Sequence, residues 1–130
     1  MARPDATPKD VAREFVTLFM IFNEAHDRER GLMHSINGYI FGNLRGLEMN
    51  NGETVRWYVL GMGNENDLHS PHWHGRTLRY QLRHTDVIEL LPGSMATADM
   101  VADDPGTWML HCHVADHIAA GMLTTYTINP

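Results

Sequence analysis

Only one cysteine, Cys112, stands in 130 residues. A lone cysteine excludes internal disulfides, and its use does not fix a cellular compartment. With no Cys-x-x-Cys pair, a structural zinc site closed by paired thiolates lacks its ligands. Cationic residues are also scarce: 10 Lys and Arg face 16 Asp and Glu, for a formal net charge of −6. Such a chain has no basic footprint, so no nucleic-acid partner is expected. No apolar run approaches the ~20 residues that a membrane-spanning helix needs, so no membrane partner is expected either. The opening Met1-Ala2-Arg3-Pro4-Asp5 lacks the apolar core of a signal peptide. A mature form, a piece of a longer protein and a cytoplasmic protein all fit that opening. There is no internal repeat and no low-complexity linker.

Histidine is what the chain has in quantity. Six of the nine fall in two stretches, Asn66-Asp67-Leu68-His69-Ser70-Pro71-His72-Trp73-His74-Gly75 and His111-Cys112-His113-Val114-Ala115-Asp116-His117-Ile118-Ala119-Ala120-Gly121-Met122. The second stretch also holds the cysteine and a methionine. Thiolate, imidazole and thioether make a soft-to-borderline ligand set, and two His, one Cys and a weak axial Met are the pattern of a blue-copper centre. Side chains alternate along a strand, so Cys112 faces one way and His111 and His113 the other. His117 and Met122 then join Cys112. His72 and His74 share parity, whereas His69 has the opposite parity. We therefore expect His69, Cys112, His117 and Met122 on one copper. The expected outer set is His72, His74, His111 and His113. A lone histidine would read as a satisfied core residue, but two His-x-His pairs sharing a face are hard to explain as packing.

At these residues the chain resembles the multicopper oxidases, in particular the C-terminal cupredoxin domain of the ceruloplasmin and hephaestin kind, which carries the type 1 copper. His-x-x-His-x-His-Gly at His69 to Gly75 matches one family motif, and His-Cys-His-x₃-His-x₄-Met at His111 to Met122 matches the other. The likeness runs on through Ile36-Asn37-Gly38, Phe41-Gly42-Asn43-Leu44, Gly61-Met62-Gly63-Asn64-Glu65 and Pro105-Gly106-Thr107-Trp108. It covers nearly all of the chain from about Glu14 onward.

The expected fold is all-β, a cupredoxin-like Greek-key β-sandwich. Short strands with turns every dozen residues or so suggest it, and the resemblance implies it. An N-terminal arm over residues 1–13 should precede one domain over 14–130, with a helical turn possible at Asp10 to Glu14. Strands are expected at Glu14 to Phe22, Thr54 to Leu60, Arg76 to His84, Val87 to Leu91, Met95 to Val101, Thr107 to His113 and Leu123 to Ile128. In the strand from Arg76 to His84, Leu78, Tyr80 and Leu82 should share a face. Val114 to Met122 reads as a loop with one helical turn. Met20, Met62 and Met109 read as core filling. Trp57, Trp73 and Trp108 read as packing residues, and His26 and His84 as surface histidines.

The resemblance implies further expectations. Electrons would enter at the type 1 copper and pass through Cys112 to His111 and His113. They would reach type 2 or type 3 copper, whose half-site is His72, His74, His111 and His113. A full three-copper cluster reduces dioxygen to water and needs four more histidines from a second domain. Three arrangements stay open: copies of this chain meeting at the histidine face, one piece of a larger oxidase, or a single-copper electron carrier. Analogy favours a homotrimer, although only a twofold contact sets two identical faces against each other. The family also implies an iron site at Glu29, His34 and Asp116, and hence Fe(II) or another small electron donor, such as a reduced redox protein. An extracytoplasmic home is implied as well. A non-catalytic structural module, like the related A domains of the clotting cofactors, is the reading from another class. Asp67 and Glu65 could relay protons, or could simply accept backbone hydrogen bonds.

Overall fold

In β4 (Thr54–Gly61) apolar residues alternate with polar ones, and the alternation sorts them between core and solvent. Val55, Trp57 and Val59 are fully buried. Outward-facing Arg56 pairs with Asp99 and Asp10. The computed structural model describes Pro4 and residues 8–23, 31–64 and 67–130. The other strands are β1 (Arg13–Asn23), β2 (Leu32–Ile36), β3 (Glu48–Asn50), β5 (Pro71–Trp73), β6 (Leu78–Tyr80), β7 (Arg83–Thr85), β8 (Met95–Val101), β9 (Gly106–Cys112) and β10 (Leu123–Asn129). Among the described residues one short helix, α1 (Ala115–Ala119), precedes β10.

The described residues form two sheets, in the orders β2-β1-β4-β8-β6-β7 and β3-β10-β9-β5. The pairs β1–β4 and β3–β10 are parallel and the others antiparallel. Neighbours are therefore often distant in sequence, as Greek-key crossovers require. The expected all-β cupredoxin-like sandwich is the observed architecture. Trp57 of the larger sheet meets Trp73 and Tyr126 of the smaller one edge-on, with ring centroids 5.7 and 5.9 Å apart. Each such contact is worth about 0.5–1.5 kcal/mol beyond the area buried.

Several details differ from expectation. Residues 76–84 are not one strand. The chain turns back between β6 and β7 at Gln81 and Leu82, both with positive φ (47° and 66°). Leu82, expected to share a face with Leu78, is fully exposed at that tip. Residues 87–91 form no named strand, yet Ile88 and Leu90 are buried and the segment pairs with the first histidine stretch. His69 and Leu90 exchange both backbone hydrogen bonds, at 3.0 and 2.9 Å, and the Ile88 amide donates to Pro71. No helical turn occurs at Asp10 to Glu14, because β1 begins at Arg13 and the Ala12 amide bonds to Thr54. Met62 and Met109 lie at the surface rather than in the core. Trp57 and Trp73 are buried in the core, with Trp108 packed against it, and His84 is exposed. His26 and Glu65 lie outside the described residues.

Candidate metal centre

Cys112 is the last residue of β9 and is fully buried. Its amide donates to the Met122 carbonyl at 3.0 Å, and the Met122 amide donates to the His117 carbonyl at 2.9 Å. Short-range backbone bonds thus lock the three residues together, and Met122 is itself fully buried beside them. His117 sits in α1. His69 arrives from the segment before β5, held by its paired bonds to Leu90.

These elements bring three donor atoms into a triangle. His69 Nδ1 and His117 Nδ1 are 3.2 Å apart, and Cys112 Sγ lies 3.8 Å from the first and 3.5 Å from the second. The point equidistant from the corners of such a triangle lies about 2.0 Å from each, close to the distances at which imidazole and thiolate bind a first-row metal ion. The donor set is that of a trigonal His₂Cys copper centre. Burial pushes the Cys112 thiol above its ordinary range, partly offset by the backbone amides of Ser70 and Val114. A bound cation would reverse that preference and hold the thiolate. Burial also lowers His69 to about 4, helped by the neighbouring His117 and opposed by Asp67. His117 is lowered too, by burial and then by His34. Both rings are therefore neutral at pH 7, the form that binds metal.

The other face of β9 carries the outer set. His111 Nε2 is 2.9 Å from His74 Nε2 and 3.3 Å from His72 Nδ1. The His113 ring lies 5.0 Å from His72 and 5.5 Å from His111, although the three-atom cluster consists of His72, His74 and His111. Hydrogen bonding assigns two tautomers. His111 Nδ1 lies 2.8 Å from the Cys112 carbonyl, which accepts only from N–H, so the His111 Nε2 lone pair faces the cluster. His72 Nε2 is 3.3 Å from the Asp86 carboxylate, which leaves its Nδ1 lone pair facing inward in the same way. Burial lowers both His72 and His111. A cleft of about 960 Å³ is lined by Trp73, Gly75, Arg76 and Asp86 among others, and by none of the inner or outer donors.

Of the expected iron residues, His34 is buried on β2 with its ring 4.8 Å from that of His117, and its Nδ1 has no hydrogen-bond partner among the described residues. Asp116 is exposed on α1, and its charge acts on both His34 and His117. Glu29 lies outside the described residues. One functional neighbour was not assigned from sequence. Asp86, the partner of His72, lies at the edge of an apolar segment that gives no sign of it. Asp67, expected either to relay protons or to accept backbone hydrogen bonds, accepts the Ile21 and Asn64 amides, and it is 1% exposed beside His69.

Fold and donor sets together define a cupredoxin-type copper domain. The multicopper oxidase family model matches residues 13–130, and the chain belongs to that family. It is similar to ceruloplasmin of Rattus norvegicus, at 53% identity over 105 residues, covering 78% of this chain and 10% of that protein. It is also similar to the ferroxidase HEPHL1 of Homo sapiens, at 42% identity over 146 residues, covering 92% of this chain and 13% of the relative. The chain thus spans about a tenth of the length of these relatives. A crystal structure of a multicopper oxidase superposes with a TM-score of 0.81 at 20% identity, over 96% of this chain and 46% of that one. The cofactor is copper and the domain is a copper redox domain.

Proposed function

We propose that this chain is an electron-transfer domain in which His69, Cys112, His117 and Met122 would hold a type 1 copper that takes up electrons, and the outer histidines would hold the copper that receives them. Bound copper supplies the one-electron redox chemistry. The protein supplies the rest. The sandwich holds three donors in a fixed triangle, which keeps rearrangement on electron transfer small. One observation carries the reading. Cys112 belongs to the inner donor set and His111 to the outer one, and the two are joined by a peptide bond and by the 2.8 Å hydrogen bond from His111 Nδ1 to the Cys112 carbonyl.

Fe(II) is the donor we favour, with dioxygen as the final acceptor. The name of one relative as a ferroxidase supports it. The position of His34 against His117, with Asp116 next in sequence to His117, supports it too. His34, Asp116 and Glu29 would hold the iron, because two carboxylates and an imidazole suit Fe(II). Among the described residues the outer set offers His72, His74, His111 and His113. Its completion calls for a second histidine face, from another copy of this chain, a trimer among the possible assemblies, or from another domain. The ceruloplasmin likeness supports an extracytoplasmic setting. No helix among the described residues is long and apolar enough to cross a membrane.

Native mass spectrometry of the copper-loaded protein, with its visible spectrum, tests the reading. More than one copper per chain in an oligomer, with intense visible absorption, is the expected result. One copper on a monomer would reduce the isolated chain to an electron carrier, and absence of the visible band would overturn the type 1 assignment.

A further inference from the structure

Asp67 is a charged residue sealed in the interior, 1% exposed. A buried carboxylate is costly unless its oxygens are engaged. Both are: Oδ1 accepts the Ile21 amide at 2.9 Å and Oδ2 accepts the Asn64 amide at 2.8 Å. The chain also makes room for it. Gly63 has φ +121°, and a Cβ there would meet the Asp67 carboxylate at 2.2–2.6 Å. So Ile21 of β1, Gly63 and Asn64 together clamp one carboxylate in one place.

That place is beside His69. Asp67 Oδ1 lies 3.6 Å from His69 Nε2, which is buried and has no hydrogen-bond partner among the described residues. The opposite ring nitrogen, Nδ1, is the one in the donor triangle. A ligating imidazole is commonly oriented through its second nitrogen by a carboxylate, which fixes the tautomer and strengthens the ligand. Asp67 is the carboxylate at that nitrogen.

We propose that Asp67 is a positioning residue for the copper centre: it keeps the proton of His69 on Nε2, presents Nδ1 to the metal, and by its negative charge favours Cu(II) over Cu(I). The inference rests on the type 1 reading above. It assigns to a loop acid control over the reduction potential, which the ligands alone do not set. Removing the charge weakens Cu(II) binding more than Cu(I) binding, so the potential rises.

The test compares the copper-loaded chain with Asp67→Asn, which keeps the shape and removes the charge. Chelator competition for Cu(II) and for Cu(I) gives the two affinities, and redox titration of the visible band gives the potential. The expected result is a Cu(II)/Cu(I) affinity ratio lowered about tenfold, equal to a rise of about 59 mV for a one-electron couple. An unchanged ratio and potential, in a variant that still shows the visible band, would overturn the proposal while leaving the type 1 site standing. A wild-type chain without that band would instead overturn the type 1 reading. Should Asp67→Asn fail to fold, nitrogen-15 spectra of the diamagnetic Cu(I)-loaded wild type decide. A slowly exchanging proton on His69 Nε2 supports the assignment, and a proton on Nδ1 or a freely exchanging Nε2 proton refutes it.

Discussion

His111 and Cys112 are consecutive residues of β9, yet their side chains serve opposite faces, and His111 Nδ1 reaches back to within 2.8 Å of the Cys112 carbonyl. The peptide unit between them is the covalent link, and the next one, between Cys112 and His113, supplies the carbonyl that orients the outer imidazole. A single strand end thus fixes the spacing of two donor sets. Anything that moves β9 relative to β5 or α1 disturbs both.

Cys112→Ser tests the inner set. Serine keeps the size of the side chain but replaces the thiolate with a hydroxyl that a metal at neutral pH does not readily deprotonate. The variant should lose the intense visible absorption and any Fe(II)-driven reduction while still taking copper at the outer histidines. Absorption spectra with metal analysis check both. A non-catalytic structural module would lose nothing of its function in this variant.

The outer set is separable by the converse change. Replacing His72 and His111 with Ala removes two of the three clustered nitrogens. The visible band should persist and the copper count per chain should fall by at least one. An unchanged count would mean that the outer face binds no copper. Asp86→Ala leaves all ligands in place but removes the partner of His72 Nε2. Outer-site affinity should then fall about 10–100-fold, as read by chelator competition.

Asp116→Ala probes the donor. If iron is held by Asp116 and His34, reduction of the visible band by Fe(II) should slow at least tenfold, by about 1.4 kcal/mol of barrier. Reduction by a phenol should not slow comparably. Stopped-flow traces with the two donors separate the cases, and equal rates of Fe(II) oxidation in variant and parent would remove Asp116 from the iron site.

Much of this geometry was legible in sequence because strand parity is a hard constraint. Once residues 107–113 are a strand, Cys112 cannot share a face with His111, and His72 and His74 must share one. Less was legible where a turn lacked its usual residues. The β6–β7 hairpin turns through Gln81 and Leu82 at positive φ, a conformation that glycine or asparagine usually signals. The alternation of Leu78, Tyr80 and Leu82 therefore looked unbroken. Burial of Asp67 was illegible for another reason: it depends on two amides, from Ile21 and Asn64, and on space left by Gly63, none of which sequence spacing reveals. Asp86 and Leu90 were hidden likewise, since their roles come from pairing with residues about 14–21 positions earlier.

Acid should destabilise the metal-free protein in a definite window. An unfolded histidine takes up its proton near pH 6.5, whereas folded His69 resists protonation until about pH 4, chiefly because it is buried. His34, His72, His111 and His117 are lowered for the same leading reason. Above pH 6.5 neither state of these rings is charged, and no stability is lost to protonation. As pH falls below 6.5 the unfolded chain binds more protons than the folded one, so unfolding becomes progressively easier. For His69 the loss levels off near pH 4, where the folded ring also protonates. Melting temperature should therefore drop steadily between about pH 6.5 and 4. The slope should be shallower in His69→Gln, which removes the most strongly lowered ring. Copper competes with protons for the same nitrogens, so the loaded protein should resist acid further into the window and then release metal and unfold together. Calorimetry of both forms across pH 4 to 8 checks the sign. A melting temperature that rises on acidification from pH 6.5 would contradict burial of these imidazoles in their neutral form.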